Sequence, residues 1–116
     1  MPLKIARAFA FKYGVTLLLK GPRTIIAAPD GKTAHVNPTG NCGMASAGSG
    51  DVLAGIISSF AVQGVDPYIA AVSGAYVHGS AGDCGAAKYG KRALSASNII
   101  EHLADALKSF EGEDNF

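Results

Sequence analysis

A glycine-rich stretch that ends on a carboxylate is the part of this sequence best suited to chemistry. The stretch is NPTGNCGMASAGSGD, residues 37–51. Its four glycines and its final carboxylate are Gly40, Gly43, Gly48, Gly50 and Asp51. Ordering glycine costs more conformational entropy than ordering other residues, so a cluster indicates left-handed turns or a ligand close to the main chain. Apolar residues at helical spacing follow at once, and the loop therefore leads into a helix N-terminus.

A loop of this kind is suited to binding an anion. The first turn of a helix has unpaired N–H groups, and the helix dipole adds partial positive charge, so phosphate is a fitting ligand. Asp51, predicted to be the first residue of the helix, can take a proton from a hydroxyl or a water beside that ligand. The alternative is that Asp51 only caps the helix. The stretch is neither a P-loop, because no Gly-Lys-Ser/Thr follows, nor a dinucleotide fingerprint.

A second stretch, LKGPRT, adds a cation and further donors. Lys20 ends a predicted buried strand, and ligands of α/β folds bind at strand ends. Lysine can meet a phosphate as a point charge. A tight turn containing Pro22 follows, in which the amides of Gly21 and Arg23 and the hydroxyl of Thr24 can donate. The alternative interpretation is a solvated lysine on a hairpin.

Hydrophobic spacing predicts the elements that position these residues. A helix over 3–13 precedes three strands, over 15–20, 24–28 and 33–37, with a hairpin turn at 29–32. Three helices follow, over 51–64, from the Asp66–Pro67 cap to Gly90, and over 95–110, before an acidic tail at 111–116. This order predicts an α/β layer fold in a single domain with few strands for its helices.

Composition excludes several classes of protein. The chain has 116 residues, 48% hydrophobic and 16% charged, which suits one folded domain. The formal net charge is +1 and no run of Lys or Arg occurs, which argues against nucleic acid as a partner. Cys42 and Cys84 are far apart without CxxC spacing, so we expect neither a disulfide scaffold nor a zinc site. We expect the protein to be located in a reducing cytoplasm. Neither a signal peptide nor a membrane span is predicted.

The remaining histidines, aromatics and acids receive structural roles. His78 lies among small residues and is predicted to be a buried structural histidine, and Asp83 is predicted to be a local hydrogen-bonding or capping group. We expect His35 and His102 at surface or hairpin positions. Tyr68, Tyr76 and Phe60 are expected in the core.

Three blocks of the sequence resemble the ADP/ATP-dependent NAD(P)H-hydrate dehydratases, the carbohydrate-kinase-like YjeF C-terminal domain of the ribokinase-like superfamily. They are LLLKGPRTIIAAPDG, NPTGNCGMASAGSGDVLAGIISSFAVQG and AAVSGAYVHGSAGD, in the family's order. The second block is more specific than the Gly-x-Gly-Asp shared by the superfamily. The resemblance covers residues 1–116 as a partial domain and implies the C-terminal portion of a three-layer α/β/α fold. Small departures are Cys42 for an expected proline, Ala47 for glycine or threonine, and Asn98 for a frequent aspartate.

The resemblance implies repair of hydrated NADH and NADPH, whose S form is dehydrated at the expense of ADP or ATP, with Mg²⁺. It implies that Asp51 is the catalytic carboxylate, that Asp51 and Asn41 contact the hydrated nicotinamide, and that no protein residues form a metal site. The implied nucleotide-binding residues are Lys20, Gly21, Pro22, Arg23, Thr24, Gly48, Ser49 and Gly50.

Family domains are much longer than this chain. We therefore expect a fragment, a truncated reading frame, or a subunit that is completed by a partner, and we expect a homo-oligomer. Two other functions stay open at this point. One is a ribokinase-like small-molecule kinase, against which the block from Asn41 to Met44 argues, and the other is a nucleotide-binding remnant without turnover.

Overall fold

A small antiparallel sheet separates one helix from all the others. The computed structural model describes residues 2–111. Its elements are α1 (Pro2–Tyr13), β1 (Leu17–Leu19), β2 (Ile25–Ala27), β3 (Ala34–Val36), a 3-10 turn (Cys42–Met44), α2 (Ser49–Val62), α3 (Pro67–Tyr89), α4 (Ala96–Glu101) and α5 (Leu103–Lys108). The predicted order of elements is confirmed through α3, although each strand is shorter than its predicted range.

The sheet has the order β1-β2-β3, and both pairs are antiparallel. Leu18 pairs with Ile26, and these two side chains pack with the core between the sheet and α2 and α3. Leu17 and Ile25 belong to the core on the α1 side. Because side chains alternate across a strand, the continuous apolar run of β1 is covered on both faces, as its composition predicts. The α/β/α layering expected for the fold class is confirmed.

Helix α1 lies close to the sheet because its inner face is made of small residues. Ala6 and Ala10 are fully buried and are one helical turn apart, so they share a face. The helix ends where Gly14 takes a φ of +62°, which a glycine adopts without strain.

Helix α3 is the longest element and contacts most of the others. Asp66 caps it by accepting hydrogen bonds from the N–H groups of Tyr68 and Ile69, and Pro67 occupies the first turn, as predicted. Gly74 lets α2 approach, since a Cβ there would lie 2.6 Å from Cγ1 of Ile57. The small residues of α3 therefore serve close packing, which their composition indicates.

The single helix predicted over 95–110 is wrong, because the chain forms two short helices that meet at His102. Ser95 caps α4 in a capping box with Asn98, so Asn98 is the third helical residue and not the cap. At the junction, Nδ1 of His102 lies 2.8 Å from the carbonyl oxygen of Asn98. The space left by Gly85 is filled by Leu94, whose Cδ1 is 2.7 Å from the Cβ position, and the His102 ring lies next to it, with Nδ1 at 3.7 Å. His102 is thus buried, and its predicted surface position is wrong.

Further expectations differ from the structure. Tyr76, predicted as core, is 38% exposed and stacks against Phe110, with ring centroids 5.4 Å apart. The predicted acidic tail lies almost wholly outside the described residues. Tyr68 is half-buried against the core and His35 lies in β3 of the hairpin, as expected. Phe60, predicted as core, is only half-buried. Over residues 2–111, no helix has both the length and the apolar character needed to cross a bilayer.

Candidate active site

A cavity of about 650 Å³ lies where the β1–β2 turn, the glycine-rich loop and α3 meet. The turn contributes Lys20, Gly21, Pro22 and Thr24 to its wall. The loop and the start of α2 contribute several residues, among them Asn41, Ser49 and Gly50, and α3 contributes Ala75, His78 and Gly79. The two stretches that the sequence singles out for phosphate binding therefore form one cavity.

The ammonium group of Lys20 lies against the first turn of α2. A Cβ on Gly50 would be only 2.7 Å from Nζ of Lys20, so the lysine can reach this position because residue 50 has no side chain. The N-terminus of α2 carries partial positive charge, and the ammonium group adds a full charge. Two positive groups that lie this close favour an anion between them.

The loop turns into α2 at Gly48, which has a φ of +86° and is the N-cap. The helix therefore begins at Ser49, and the prediction that Asp51 is its first residue is wrong by two positions, because the left-handed turn of Gly48 starts the helix earlier. Within residues 2–111, the N–H groups of Gly50 and Asp51 donate to no backbone carbonyl. These two donors are available to a ligand.

Asp51 is the third residue of α2 and is exposed. It does not hold the capping position, which belongs to Gly48, and its charge is favourable in the first turn of a helix. Its side chain is not part of the cavity wall, although the neighbouring Gly50 is. Arg23 and Gly48 also lie outside the wall.

The glycine-rich loop is held on α3 by four long-range hydrogen bonds. Nδ2 of Asn37 donates to the carbonyl of Ala75 over 3.1 Å, and Oγ1 of Thr39 donates to the carbonyl of Tyr76 over 3.0 Å. The carboxylate of Asp83 accepts from the N–H of Gly40 over 3.1 Å and from Nδ2 of Asn41 over 2.8 Å. Asp83 is thus a hydrogen-bonding group, but the prediction that it acts locally is wrong, because its partners lie 42 and 43 residues away on the loop.

Glycines on α3 make room for this loop. A Cβ on Gly79 would overlap Thr39, and one on Gly82 would overlap the side chain of Met44. Gly79, Gly82 and Asp83 are spaced i, i+3 and i+4 and so share one face of α3. That spacing is the sequence signal that could have identified this face as the support of the loop.

Asn41 lines the cavity, but its side chain is already engaged within the loop. Oδ1 accepts from the N–H of Gly43 over 3.0 Å, while Nδ2 is bonded to Asp83. Its structural role is therefore to fix the loop. Ser46 also lines the cavity, and its buried hydroxyl has no hydrogen-bond partner among residues 2–111, so it offers a free polar group that the sequence did not suggest.

His78 is buried, as predicted, and it also forms part of the cavity wall. Its Nε2 lies 3.0 Å from the carbonyl oxygen and 3.3 Å from the hydroxyl of Ser49. Burial lowers the pKa of His78, the bond to Ser49 raises it, and the positive charge of Lys20 lowers it, with a net downward shift. A histidine predicted only as structural thus contacts the first residue of α2.

A family model described as NAD(P)H-hydrate dehydratase matches residues 2–105 of the chain. The chain belongs to the NAD(P)H-hydrate dehydratase family. The family resemblance of the three sequence blocks is thereby confirmed.

Curated relatives have names that agree with this family. The chain is 51% identical over 111 residues to a bifunctional NAD(P)H-hydrate repair enzyme Nnr of Moorella thermoacetica, covering 96% of the chain and 21% of that protein. It is 52% identical over 71 residues to an ADP-dependent (S)-NAD(P)H-hydrate dehydratase of Neisseria meningitidis, covering 61% of the chain and 24% of that protein. The chain spans about a fifth of the length of the curated relatives that it matches.

A solved structure of another protein has the same fold as this chain. It is the ADP/ATP-dependent NAD(P)H-hydrate dehydratase from Bacillus subtilis, co-crystallised with ATP/Mg²⁺ and soaked with CoA. The TM-score is 0.88 at 32% identity, over 95% of this chain and 40% of the other. The predicted fold class, a portion of a larger carbohydrate-kinase-like α/β domain, is therefore confirmed.

Proposed function

We propose that the chain contributes the nucleotide site and the catalytic carboxylate to an enzyme that dehydrates the S form of hydrated NADH and NADPH, with ADP or ATP as co-substrate. Family membership and the names of the relatives support the reaction. One observation supports the site: Lys20 and Gly50 line one cavity, at a helix N-terminus where the N–H groups of Gly50 and Asp51 donate to no backbone carbonyl within residues 2–111. A nucleoside diphosphate supplies the anion that such a place favours.

In this proposal the nucleotide lies between the β1–β2 turn, residues 20–24, and the loop of residues 48–50. Lys20 neutralises part of the phosphate charge, and the amides in the first turn of α2 donate to phosphate oxygens. Thr24 and Ser46 offer hydroxyl groups in the cavity wall. Arg23 and Gly48 act through the backbone shape of their turns, since neither lines the wall.

Asp51 acts in the proposal as a base toward the hydroxyl of the hydrated nicotinamide. The hydroxyl oxygen attacks the terminal phosphorus of ADP, its proton passes to Asp51, and AMP leaves. The carbon–oxygen bond of the phosphate ester then breaks with release of inorganic phosphate. Loss of a ring proton to solvent restores the double bond. The exposed position of Asp51 beside Gly50 leaves room for a second substrate next to the nucleotide.

Mg²⁺ in this reaction would come with the nucleotide. Magnesium usually keeps several waters and binds one or two carboxylates together with phosphate oxygens. Among residues 2–111, no three His, Cys, Asp or Glu side chains form a group that could hold a metal ion. The ion would bind with the phosphate groups and would neutralise part of their charge.

The proposed compartment is the cytoplasm. Cys42 and Cys84 are both free thiols, which suits a reducing environment.

Nucleotide binding without turnover is the second candidate. It is favoured by the exposed side chain of Asp51, which lies outside the cavity wall.

Two variants separate these candidates. Asp51→Asn keeps the shape of the side chain but removes its charge and basic site, so dehydration of hydrated NADH should fall by roughly 10²–10⁴-fold. The affinity for ADP should be retained, because backbone amides make the anion site. Lys20→Ala should weaken ADP binding, since it removes the cation.

The measurements are the return of absorbance at the reduced-nicotinamide band with ADP present, and calorimetric titration with ADP. If Asp51→Asn dehydrated hydrated NADH at the wild-type rate, the proposed catalytic role of Asp51 would be wrong. Unchanged ADP affinity of Lys20→Ala would argue against the site. ADP binding by the unaltered chain with no dehydration would select the second candidate.

A further inference from the structure

We infer that His78 is a positioning residue, which orients the Ser49–Gly50 peptide so that the N–H of Gly50 points to the phosphate of the bound nucleotide. This inference rests on the nucleotide site proposed above. His78 lies on α3, is about nine-tenths buried, and has its Nε2 3.0 Å from the carbonyl oxygen of Ser49.

Planarity of the peptide bond connects the histidine to the anion site. The carbonyl of Ser49 and the N–H of Gly50 belong to one trans peptide unit, and they point in opposite directions. When a hydrogen bond holds the carbonyl oxygen, it also fixes the direction of the N–H. His78 therefore acts on a ligand that it does not need to touch.

The first turn of α2 has no side chain that caps it. Its N-cap is Gly48, which the positive φ requires and which has no hydrogen-bonding side chain. A capping Ser or Asp would accept from the N–H groups of the second or third residue and would occupy those donors. His78 holds the turn through a carbonyl oxygen instead. The N–H groups of Gly50 and Asp51 consequently stay free of backbone acceptors within residues 2–111.

The hydrogen bond defines the tautomer of His78. A carbonyl oxygen only accepts, so Nε2 must carry the hydrogen, and the neutral ring suffices for this. The hydroxyl of Ser49 is a second neighbour of Nε2, at 3.3 Å. The positive charge of Lys20 lowers the pKa of the His78 ring, and the ammonium group of Lys20 lies beside Gly50 in the same turn of α2. The positive charge at the site then comes from Lys20 and the helix, with the histidine serving only as a donor.

Two amide variants of the full chain test the inference. In His78→Gln the side-chain amide nitrogen lies near the place of Nε2 and can donate to Ser49. In His78→Asn the amide is shorter and cannot reach. Both variants bury a side-chain amide, so any effect of burying this polar group on ADP affinity is the same in both and cancels in the comparison. We expect His78→Asn to bind ADP about tenfold more weakly than the wild type and His78→Gln to stay within about threefold, since a tenfold loss corresponds to about 1.4 kcal/mol.

The measurements are calorimetric titration with ADP and with adenosine, which lacks phosphate, and the amide resonance of Gly50 in ¹⁵N-labelled protein. A positioning role changes ADP affinity and the Gly50 resonance in His78→Asn but leaves adenosine affinity unchanged. Equal ADP affinity in the two variants and the wild type would overturn the inference alone. Parallel losses for ADP and adenosine would show a merely structural histidine and would also overturn it. A wild-type chain that binds no ADP would overturn the proposed nucleotide site, and with it the inference.

Discussion

Gly50 combines two features of the proposed anion site. The Cβ of any other residue at this position would lie 2.7 Å from Nζ of Lys20, so the flexible end of the lysine would have to move away. The N–H of Gly50 is also one of the two free donors of the first turn. The absence of a Cβ thus allows a cation and a backbone donor to face one ligand. At the residue scale, the site depends on what Gly50 lacks as much as on what Lys20 supplies.

The buried state of His78 predicts a specific dependence of stability on pH. Its pKa in the folded chain lies below the ordinary value of 6.5, mainly because burial disfavours the charged ring. Between these two pKa values the unfolded chain binds the proton and the folded chain does not. The free energy of unfolding should therefore decrease as the pH falls through 6.5 toward the lower, folded value. Denaturant titrations of the wild type and His78→Gln at pH 8, 7, 6 and 5.5 measure this dependence.

His78→Gln should lack the His78 share of the decrease. The other histidines, His35 and His102, are present in both proteins and cancel in the comparison. Parallel stability curves for the two proteins would contradict the expected titration of His78.

At the same scale, sequence reasoning identified the charged and glycine residues of the site but not their supports. Lys20 and the glycines stand out because their types and spacing suit phosphate. His78 and Asp83 do not, because their partners lie at the start of α2 and on the glycine-rich loop, 29 to 43 residues away along the chain. A local pattern contains no information about such pairs, so both residues were assigned only general structural roles.

Helix α3 acts as the support for the functional loop through the face that carries Gly79. Gly79→Ala places a methyl group against Thr39, including its backbone, which cannot move without loss of the bonds that hold the loop. Overpacking of this kind costs about 1–3 kcal/mol. Urea denaturation should show a correspondingly lower midpoint at an unchanged slope.

Gly55→Ala is the matched control on α2. A Cβ at Gly55 meets no atom within 4 Å, so only helix propensity changes, and the variant should be up to about 1 kcal/mol more stable. If Gly79→Ala were as stable as Gly55→Ala, the contact between α3 and the loop would not be tight.

The elements themselves were largely predictable, and the exception has a physical cause. Apolar spacing and caps identified α1, α2 and α3, and turn residues identified the hairpin. The break between α4 and α5 was not predictable, because the apolar spacing continues through Ile99 and Leu103 on both sides of it. The break coincides with the buried side chain of His102, whose Nδ1 lies 2.8 Å from the carbonyl oxygen of Asn98, and this contact is visible only in the packed structure.

At the scale of the whole molecule, large apolar side chains remain on the surface. On α1 they include Ile5, which is 64% exposed, and Phe9, which is 46% exposed. Strand β1 pairs on one side only within the described residues, so its other edge presents free backbone groups. We propose that the chain associates with itself through such surfaces. Static light scattering over a range of concentrations should show a mass above that of the monomer.

A charge on α1 tests whether this helix takes part in the association. Ile5→Glu should shift the average mass toward the monomer, because burying an unpaired carboxylate at an interface is costly. Lys4→Glu is the control, since residue 4 is also exposed but polar. A clean monomer of the wild type at high concentration would contradict self-association.

The hydrogen bonds between the glycine-rich loop and α3 affect how long a stretch of sequence is needed to form an ordered phosphate-binding loop. They join residues that are 37 to 43 positions apart. A chain cut after α2 would keep every residue proposed to bind the nucleotide, yet it would lack Asp83, His78 and the glycine face that order them. Its loop would recover the backbone freedom that glycine allows, and its amides would point in many directions. The phosphate motif is therefore discontinuous: its donors come early in translation, and the part that gives them a direction is translated some forty residues later.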